Sequence, residues 1–129
     1  QTYAETCPTG HGTYASRNGA GENLFWAGST ESPVPIDYSA AVDSWYDEIK
    51  DYLFPTTADD AISNGGVTGH FTQLVWKATT KVGCGAYGSC SNMWSGSYDN
   101  NVVVCRYDPP GNYNNQYYTE VGALISSKK

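Results

Sequence analysis

The strongest restriction on how this chain folds comes from its four cysteines, Cys7, Cys84, Cys90 and Cys105. An even number of cysteines in a small sequence is typical of a disulfide framework formed in an oxidising compartment. No two of them form a C-x-x-C pair, and their spacing fits neither a zinc knuckle nor a redox motif. We therefore expect two disulfides and a secreted, extracellular protein, and the spacing alone leaves three pairings open.

The composition is that of one ordered domain with no strong attraction for polyanions. At 129 residues, 40% of them apolar and 16% charged, the chain is long enough for a single core and too apolar for general disorder. Thirteen acidic against seven basic residues give a net charge of −6, which argues against nucleic-acid partners and anionic membranes. No apolar run reaches the length of about 18 residues that a bilayer span needs, so none is predicted.

The clearest helical pattern covers Ser39–Tyr52, where apolar residues recur at i, i+3, i+4, i+7 and i+11. These positions are Val42, Trp45, Tyr46, Ile49 and Leu53. Asp37 or Ser39 is expected to cap the start of this helix, and Pro55 marks a stop just beyond it. Glu48 lies on the shoulder of the apolar stripe, so we expect its carboxylate to point partly inward.

A second helix and three extended segments complete the predicted elements. The helical pattern runs through Phe71–Ala78, with Thr68 as its expected cap. Asn23–Ala27 is a short apolar run that fits a buried strand or turn. Lys81–Tyr87 and Val102–Tyr107 have strand periodicity and are joined by a Ser/Gly/Asn-rich connection. Helices combined with late antiparallel strands predict an α+β fold.

Two histidines and two glutamates are the residues best suited to chemistry. His11 and His70 are the only histidines of the chain, and each lies beside a glycine. Glu22 directly precedes an apolar run, and Glu48 lies on the helix shoulder. If the fold brings the four together, two imidazoles can bind a divalent cation while the carboxylates orient water.

Three segments resemble the motifs of the CAP superfamily, which comprises cysteine-rich secretory proteins, insect venom antigens and plant pathogenesis-related proteins. Gly69–Lys77, with the sequence Gly-His-Phe-Thr-Gln-Leu-Val-Trp-Lys, resembles the superfamily signature. Gly21–Leu24 is similar to the second motif and Val103–Asn112 to the third, in the same order and with similar spacing. The likeness spans nearly the whole chain, and Ala40–Ile49 is most similar to fungal members, the pathogen-related proteins of yeasts.

The resemblance implies a CAP-type α-β-α sandwich with a small antiparallel sheet, formed by residues 1–129 as a single domain. The superfamily usually opens with a helix that carries a His-Asn-x-x-Arg pattern, which this sequence lacks, and Gln1–Ala4 resembles the tail of that helix. We therefore expect a domain that is incomplete at its N-terminus. The disulfides of the superfamily imply the pairs Cys7–Cys84 and Cys90–Cys105.

Carried over to this sequence, the cleft tetrad of the superfamily falls on His11, Glu22, Glu48 and His70. The resemblance implies that the two histidines can hold a divalent metal ion, zinc or magnesium, with the glutamates beside it. We do not expect the metal to be required.

The leading functional hypothesis is a secreted, non-enzymatic carrier of sterols or fatty acids, because fungal members of the superfamily bind these lipids. They use a groove between helices and a loop beside the second helix, which corresponds here to the residues from Pro55 to Thr68. The apolar, aromatic sequence in front of this loop, Tyr52, Leu53 and Phe54, is the predicted lipid contact.

Two other functions stay open from the sequence. A metal-dependent hydrolase could use the histidines and carboxylates to activate water, although no activating motif marks a serine or cysteine nucleophile. A host-interaction or defence module would act through its surface, as a monomer or weak oligomer, with tyrosines that contact a partner or glycans. The tyrosines concerned are Tyr98, Tyr113, Tyr117 and Tyr118.

Overall fold

The computed structural model describes residues 1–91, 93–94 and 98–122. The main elements in chain order are α1 (Thr2–Glu5), β1 (Gly21–Ser29), α2 (Tyr38–Asp47), α3 (Gly69–Leu74), β2 (Lys81–Cys90), β3 (Asp99–Asp108) and α4 (Tyr117–Glu120). A 3₁₀ turn, Glu48–Asp51, directly continues α2. Among the described residues, no helix has the length and apolar character that a bilayer crossing requires.

The three strands form one antiparallel sheet with β3 in the centre, in the order β1-β3-β2. Val102, Val103 and Val104 of β3 are buried because neighbouring strands flank β3 on both sides and helices cover both faces of the sheet. Both strands predicted in the second half of the chain are confirmed and are longer than predicted. Their predicted connection lies partly outside the described residues.

Helices pack on both faces of the sheet, which confirms the predicted α+β class. On one face, Ala4 of α1 packs against Leu24, Val102 and Val104. On the other, Ala41 and Trp45 of α2 pack against alternate residues of β3, Val103, Cys105 and Tyr107. Alternation along β3 therefore divides the core into two layers. The predicted helix tail at the start of the chain is helical over Thr2–Glu5.

Helix α2 begins where predicted but buries a different face. Asp37 is its cap, since the carboxylate accepts a hydrogen bond of 2.9 Å from the backbone N–H of Ala40. Trp45 is buried as predicted, whereas Val42 and Tyr46 are 41% and 48% exposed. The small side chain of Ala41 lies one turn before Trp45 and lets the helix approach the sheet closely. A pattern that counts only large apolar residues therefore predicts burial of Val42 and Tyr46 and misses the buried Ala41.

Helix α3 ends earlier than predicted, at Leu74 and not at Ala78. Trp76 leaves the helix and packs in the core with Tyr52, Phe71 and Val121. The backbone N–H of Lys77 then donates to the carbonyl oxygen of Glu120. Tertiary contacts therefore replace the last helical turn that periodicity predicted.

The disulfides join Cys7 to Cys90 and Cys84 to Cys105, so the implied pairs Cys7–Cys84 and Cys90–Cys105 are wrong. The register of the sheet explains the difference, because Cys84 on β2 lies directly opposite Cys105 on β3. Cys7, just after α1, meets Cys90 at the far end of β2 in the core layer below α1. No described cysteine is free.

Candidate functional site

The first part of the site is a buried carboxylate, Glu22 on β1. Its side chain is completely buried and accepts three hydrogen bonds. Gly12 donates through its backbone N–H at 2.9 Å, and Arg106, opposite Glu22 on β3, donates through Nε at 2.9 Å. The third partner is Nδ1 of His11, at 3.0 Å.

Glu22 is held in its ionised form. Burial opposes ionisation, but the hydrogen bonds from Gly12, Arg106 and His11 outweigh it and hold the pKa of Glu22 below its usual value. An ionised carboxylate can only accept hydrogen bonds, so the neutral His11 ring carries its proton on Nδ1. The Nε2 lone pair of His11 is therefore available, and the ring is 54% exposed.

The second part is an equivalent pair, Glu48 and His70. One carboxylate oxygen of Glu48 accepts from Nδ1 of His70 at 2.6 Å. The other accepts from the backbone N–H groups of His70 and Phe71, at 3.0 and 3.1 Å. Glu48 thus satisfies free donors in the first turn of α3, where the side chain of the predicted cap, Thr68, makes no capping hydrogen bond. Trp45 stacks parallel to the His70 ring, at 6.4 Å between centroids.

Two amide side chains, buried Asn23 and half-buried Asn112, link the backbone around the two pairs. Asn23, the neighbour of Glu22, donates to the carbonyl oxygen of His70 at 3.0 Å. Asn112 donates to the carbonyl oxygen of Gly69, which directly precedes His70. An open cleft of about 290 Å³ lies beside His11 and Glu22 and is also lined by Asn112.

Sequence reasoning missed these connecting residues, although a signal was present. Asn23, Gln73 and Asn112 each lie inside one of the three family-like motifs. Gln73 is buried and accepts from the backbone N–H of Gly111 at 2.8 Å. A Cβ at Gly21 would collide with the Gln73 carboxamide, so the glycine of the second motif permits this close approach. The available clue was that each of these amide residues lies within a family-like motif, beside apolar residues such as Leu24 and Leu74.

The four predicted tetrad residues form two acid–imidazole pairs. No set of three or more His, Cys, Asp or Glu side chains in the described ranges is arranged to hold a metal ion. Both carboxylates are already occupied by N–H donors. The donor set left for a metal is Nε2 of His11 and Nε2 of His70, which make no hydrogen bond within the described part of the chain. Two imidazole nitrogens fit zinc better than magnesium, which prefers oxygen ligands.

The predicted lipid contacts are only partly at the surface. Tyr52 is buried and packs edge-on against Phe54, with 4.8 Å between ring centroids. Its hydroxyl has no hydrogen-bond partner among the described residues, and burial raises the pKa of Tyr52 to about 12. Phe54 belongs to the same core cluster, whereas Leu53 is 43% exposed. The aromatic residues thus anchor the loop from inside, and Leu53 is the member of the trio that faces solvent.

Two other surfaces bear on the functional hypotheses. An open groove of about 340 Å³ has a mostly apolar lining that includes Val42, Leu74 and Val82. The tyrosines predicted for a recognition patch differ in role. Tyr98, Tyr113 and Tyr118 are exposed, while Tyr117 packs edge-on against Trp76.

The family comparison agrees with this fold. The model of the cysteine-rich secretory protein family, CAP, matches residues 1–107, and the chain belongs to this family. The chain is 36% identical over 134 residues to Scoloptoxin SSD976 of Scolopendra dehaani, covering all of this chain and 58% of that protein. It is 39% identical over 123 residues to Cysteine-rich secretory protein 2 of Homo sapiens, covering 92% and 45%. The chain therefore spans about half the length of these relatives.

Solved structures show the same architecture. BmVAL-1 superposes with a TM-score of 0.75 at 31% identity, covering 95% of this chain and 59% of that one. NaASP2, solved with Zn²⁺, has a TM-score of 0.64 at 29% identity, covering 87% and 55%. The predicted CAP-type fold is confirmed.

Proposed function

We propose that this chain is a secreted, non-enzymatic binding module in which His11 and His70 hold a zinc-type divalent cation. The observation that carries the proposal is that each imidazole is anchored through Nδ1 to a buried or half-buried glutamate. Histidines that bind metals typically donate their other ring N–H to a carboxylate, which fixes the ring and raises the basicity of the free nitrogen. The related NaASP2 was solved with Zn²⁺, which supports the proposal that a protein of this fold can hold the ion.

Two imidazoles make an open site. Structural zinc sites use four protein ligands, so a cation held by two leaves positions for water or for an anionic ligand. When bound, zinc would supply a positive charge in an acidic domain of net charge −6. We propose no hydrolysis, because Glu22 and Glu48, which would have to act as the general base, each already accept three hydrogen bonds.

Removing either histidine is expected to weaken zinc binding at least about tenfold, and His11→Ala/His70→Ala together to abolish it. Glu48→Gln is expected to weaken it by about 10- to 100-fold without touching the metal, because the carboxylate orients His70. Isothermal titration with zinc chloride measures these changes, and thermal unfolding verifies that each variant is folded. Glu31→Gln, at an exposed acidic residue, is the matched control and should bind as the parent does. Zinc affinity that survives loss of both histidines would refute the site.

Lipid binding is the second candidate, favoured by the apolar groove along Val42, Leu74 and Val82 together with exposed Leu53. A volume of about 340 Å³ lies within the range of small-ligand pockets. We expect saturable binding of palmitate or cholesterol that Val42→Asp weakens about tenfold, since a carboxylate in the groove must be desolvated. Asp43→Asn, at the next position on α2, is the control. This candidate would be refuted if the parent shows no saturable lipid binding, or if Val42→Asp binds the lipid with the same affinity as the parent.

We also propose that this chain is secreted, because its two disulfides suit an oxidising compartment. The names of its relatives include secretory, venom and salivary proteins. A fungal origin, to which the likeness of Ala40–Ile49 points, and a surface partner in a host remain proposals of the sequence.

A further inference from the structure

A second cleft lies away from the histidines, between the loop 55–62 and the turn 114–118. It has an open volume of about 450 Å³ and is lined by apolar and polar residues of the loop and by asparagines and tyrosines of the turn. The loop was expected to form a lipid lip. Its lining instead mixes apolar residues with polar ones, namely Asp59 on one side and Asn114 and Asn115 on the other.

The walls of this cleft are fixed by internal contacts. Asp60 accepts four hydrogen bonds of 2.7–2.9 Å from the backbone N–H and hydroxyl groups of Thr56 and Thr57. The backbone N–H of Leu53 donates to the carbonyl oxygen of Ile62 at 2.9 Å, which closes the base of the loop. On the facing side, Tyr117 is held edge-on against Trp76. A ligand would therefore meet a preorganised surface, with less ordering entropy to lose.

The cleft contains polar side chains that are available to hydrogen-bond a ligand. Four residues that line the cleft make no side-chain hydrogen bond to any described residue: Asp59, Asn114, Asn115 and Tyr118. The carboxylate is an acceptor, and each amide offers both donors and an acceptor. Tyr118 adds an aromatic ring that is 43% exposed. Sugars match this combination, because their hydroxyls donate and accept in close array while the C–H faces of the ring pack on aromatics.

Charge narrows the class of sugar. Among the described lining residues there are two aspartates and no lysine or arginine, within a chain of net charge −6. Sulfated or sialylated glycans would be repelled. An acyl chain would have to desolvate Asp59 and both asparagines without pairing them.

We propose that this cleft binds a neutral oligosaccharide, with Tyr118 as the stacking platform and Asp59, Asn114 and Asn115 as hydrogen-bond partners. This site is independent of the histidine cleft. Zinc binding and sugar binding can therefore fail separately.

The test is a titration of the ¹⁵N-labelled full chain with maltohexaose, laminarihexaose and chitohexaose, followed by NMR. We expect at least one of them to give saturable shifts confined to residues 56–62 and 113–119. Tyr118→Ala should weaken that binding about tenfold or more, and Asp59→Asn should also weaken it. Tyr14→Ala removes a tyrosine that is 71% exposed and lies outside the cleft, so its affinity should stay within about twofold.

A heparin-derived hexasaccharide supplies the charge control and should not bind. The proposal is overturned if no neutral hexasaccharide saturates, if the shifts fall elsewhere, or if Tyr118→Ala binds like the parent chain. Preferential binding of the heparin fragment would equally refute it, since it would contradict the charge argument.

Discussion

Replacing Cys7 and Cys90 together by alanine is expected to lower the free energy of unfolding by about 4–5 kcal/mol. The bridge spans 83 residues, so its loss restores most of the conformational freedom of the unfolded chain. Cys90 is also fully buried in the core layer below α1, beside Leu24 and Val102. Urea unfolding followed by circular dichroism measures the change.

The matched control is the double alanine variant of Cys84 and Cys105. Their bridge spans 21 residues, and the same chain-entropy model gives a loss of about 3 kcal/mol. Thiol titration under denaturing conditions separates the two pairing schemes. If the observed pairs are correct, Cys7→Ala/Cys90→Ala has no free thiol. Two free thiols in that variant would instead support the pairing that family resemblance implied.

The second large effect is expected for Glu22→Gln, which should cost about 2–3 kcal/mol of stability at neutral pH. The substitution replaces an ionised, fully buried acceptor of three hydrogen bonds with an amide whose NH₂ group faces N–H donors. It also leaves Arg106 without its carboxylate partner. Chemical denaturation of both proteins at several pH values gives the difference.

The pH dependence of that difference has a defined sign. Because the pKa of Glu22 is lowered on folding, ionised Glu22 stabilises the fold above the unfolded pKa of about 4.3. This contribution is lost as the pH falls through the lower, folded value. The gap between parent and Glu22→Gln should therefore narrow on acidification. A stability difference that stays constant from pH 7 to pH 3 would contradict the stabilising role of the ionised Glu22 carboxylate. The control Glu31→Gln should differ from the parent by no more than about 0.5 kcal/mol at any of these pH values.

Local patterns predicted the elements of this fold well. The cap at Asp37, the burial of Trp45 and the positions of β2 and β3 follow from short-range rules, namely capping and hydrophobic periodicity. These rules predict which residues of a segment face the core. They do not specify which distant segment of the chain packs against those residues.

The errors share that limit. The disulfide pairs depend on the register that places Cys84 opposite Cys105, and register is a property of two strands together. Tyr52 looks like a surface lipid contact in sequence, but Phe71 of a later helix covers it, with 5.3 Å between ring centroids. A helical stripe cannot distinguish Val42 from Ala41, because the choice depends on how closely α2 approaches the sheet.

The sequence singled out four residues for the candidate site but could not predict how they are arranged. The residues His11, Glu22, Glu48 and His70 followed from chemistry and family resemblance. Their division into two acid–imidazole pairs required the distances. Each glutamate also has a structural role. Glu22 binds Arg106, and Glu48 accepts hydrogen bonds from the free backbone N–H groups in the first turn of α3.

The central claim is that each histidine donates Nδ1–H to a glutamate and keeps the lone pair of Nε2 available for a metal ion. The tautomer of each ring tests this claim most directly. Long-range ¹H–¹⁵N NMR resolves them easily, since the chain has only two histidines. At a pH where the rings are neutral, we predict protonated Nδ1 and unprotonated Nε2 in both, with equimolar zinc shifting both Nε2 signals together. Protonated Nε2 in either ring, or a zinc response from one histidine alone, would contradict the account.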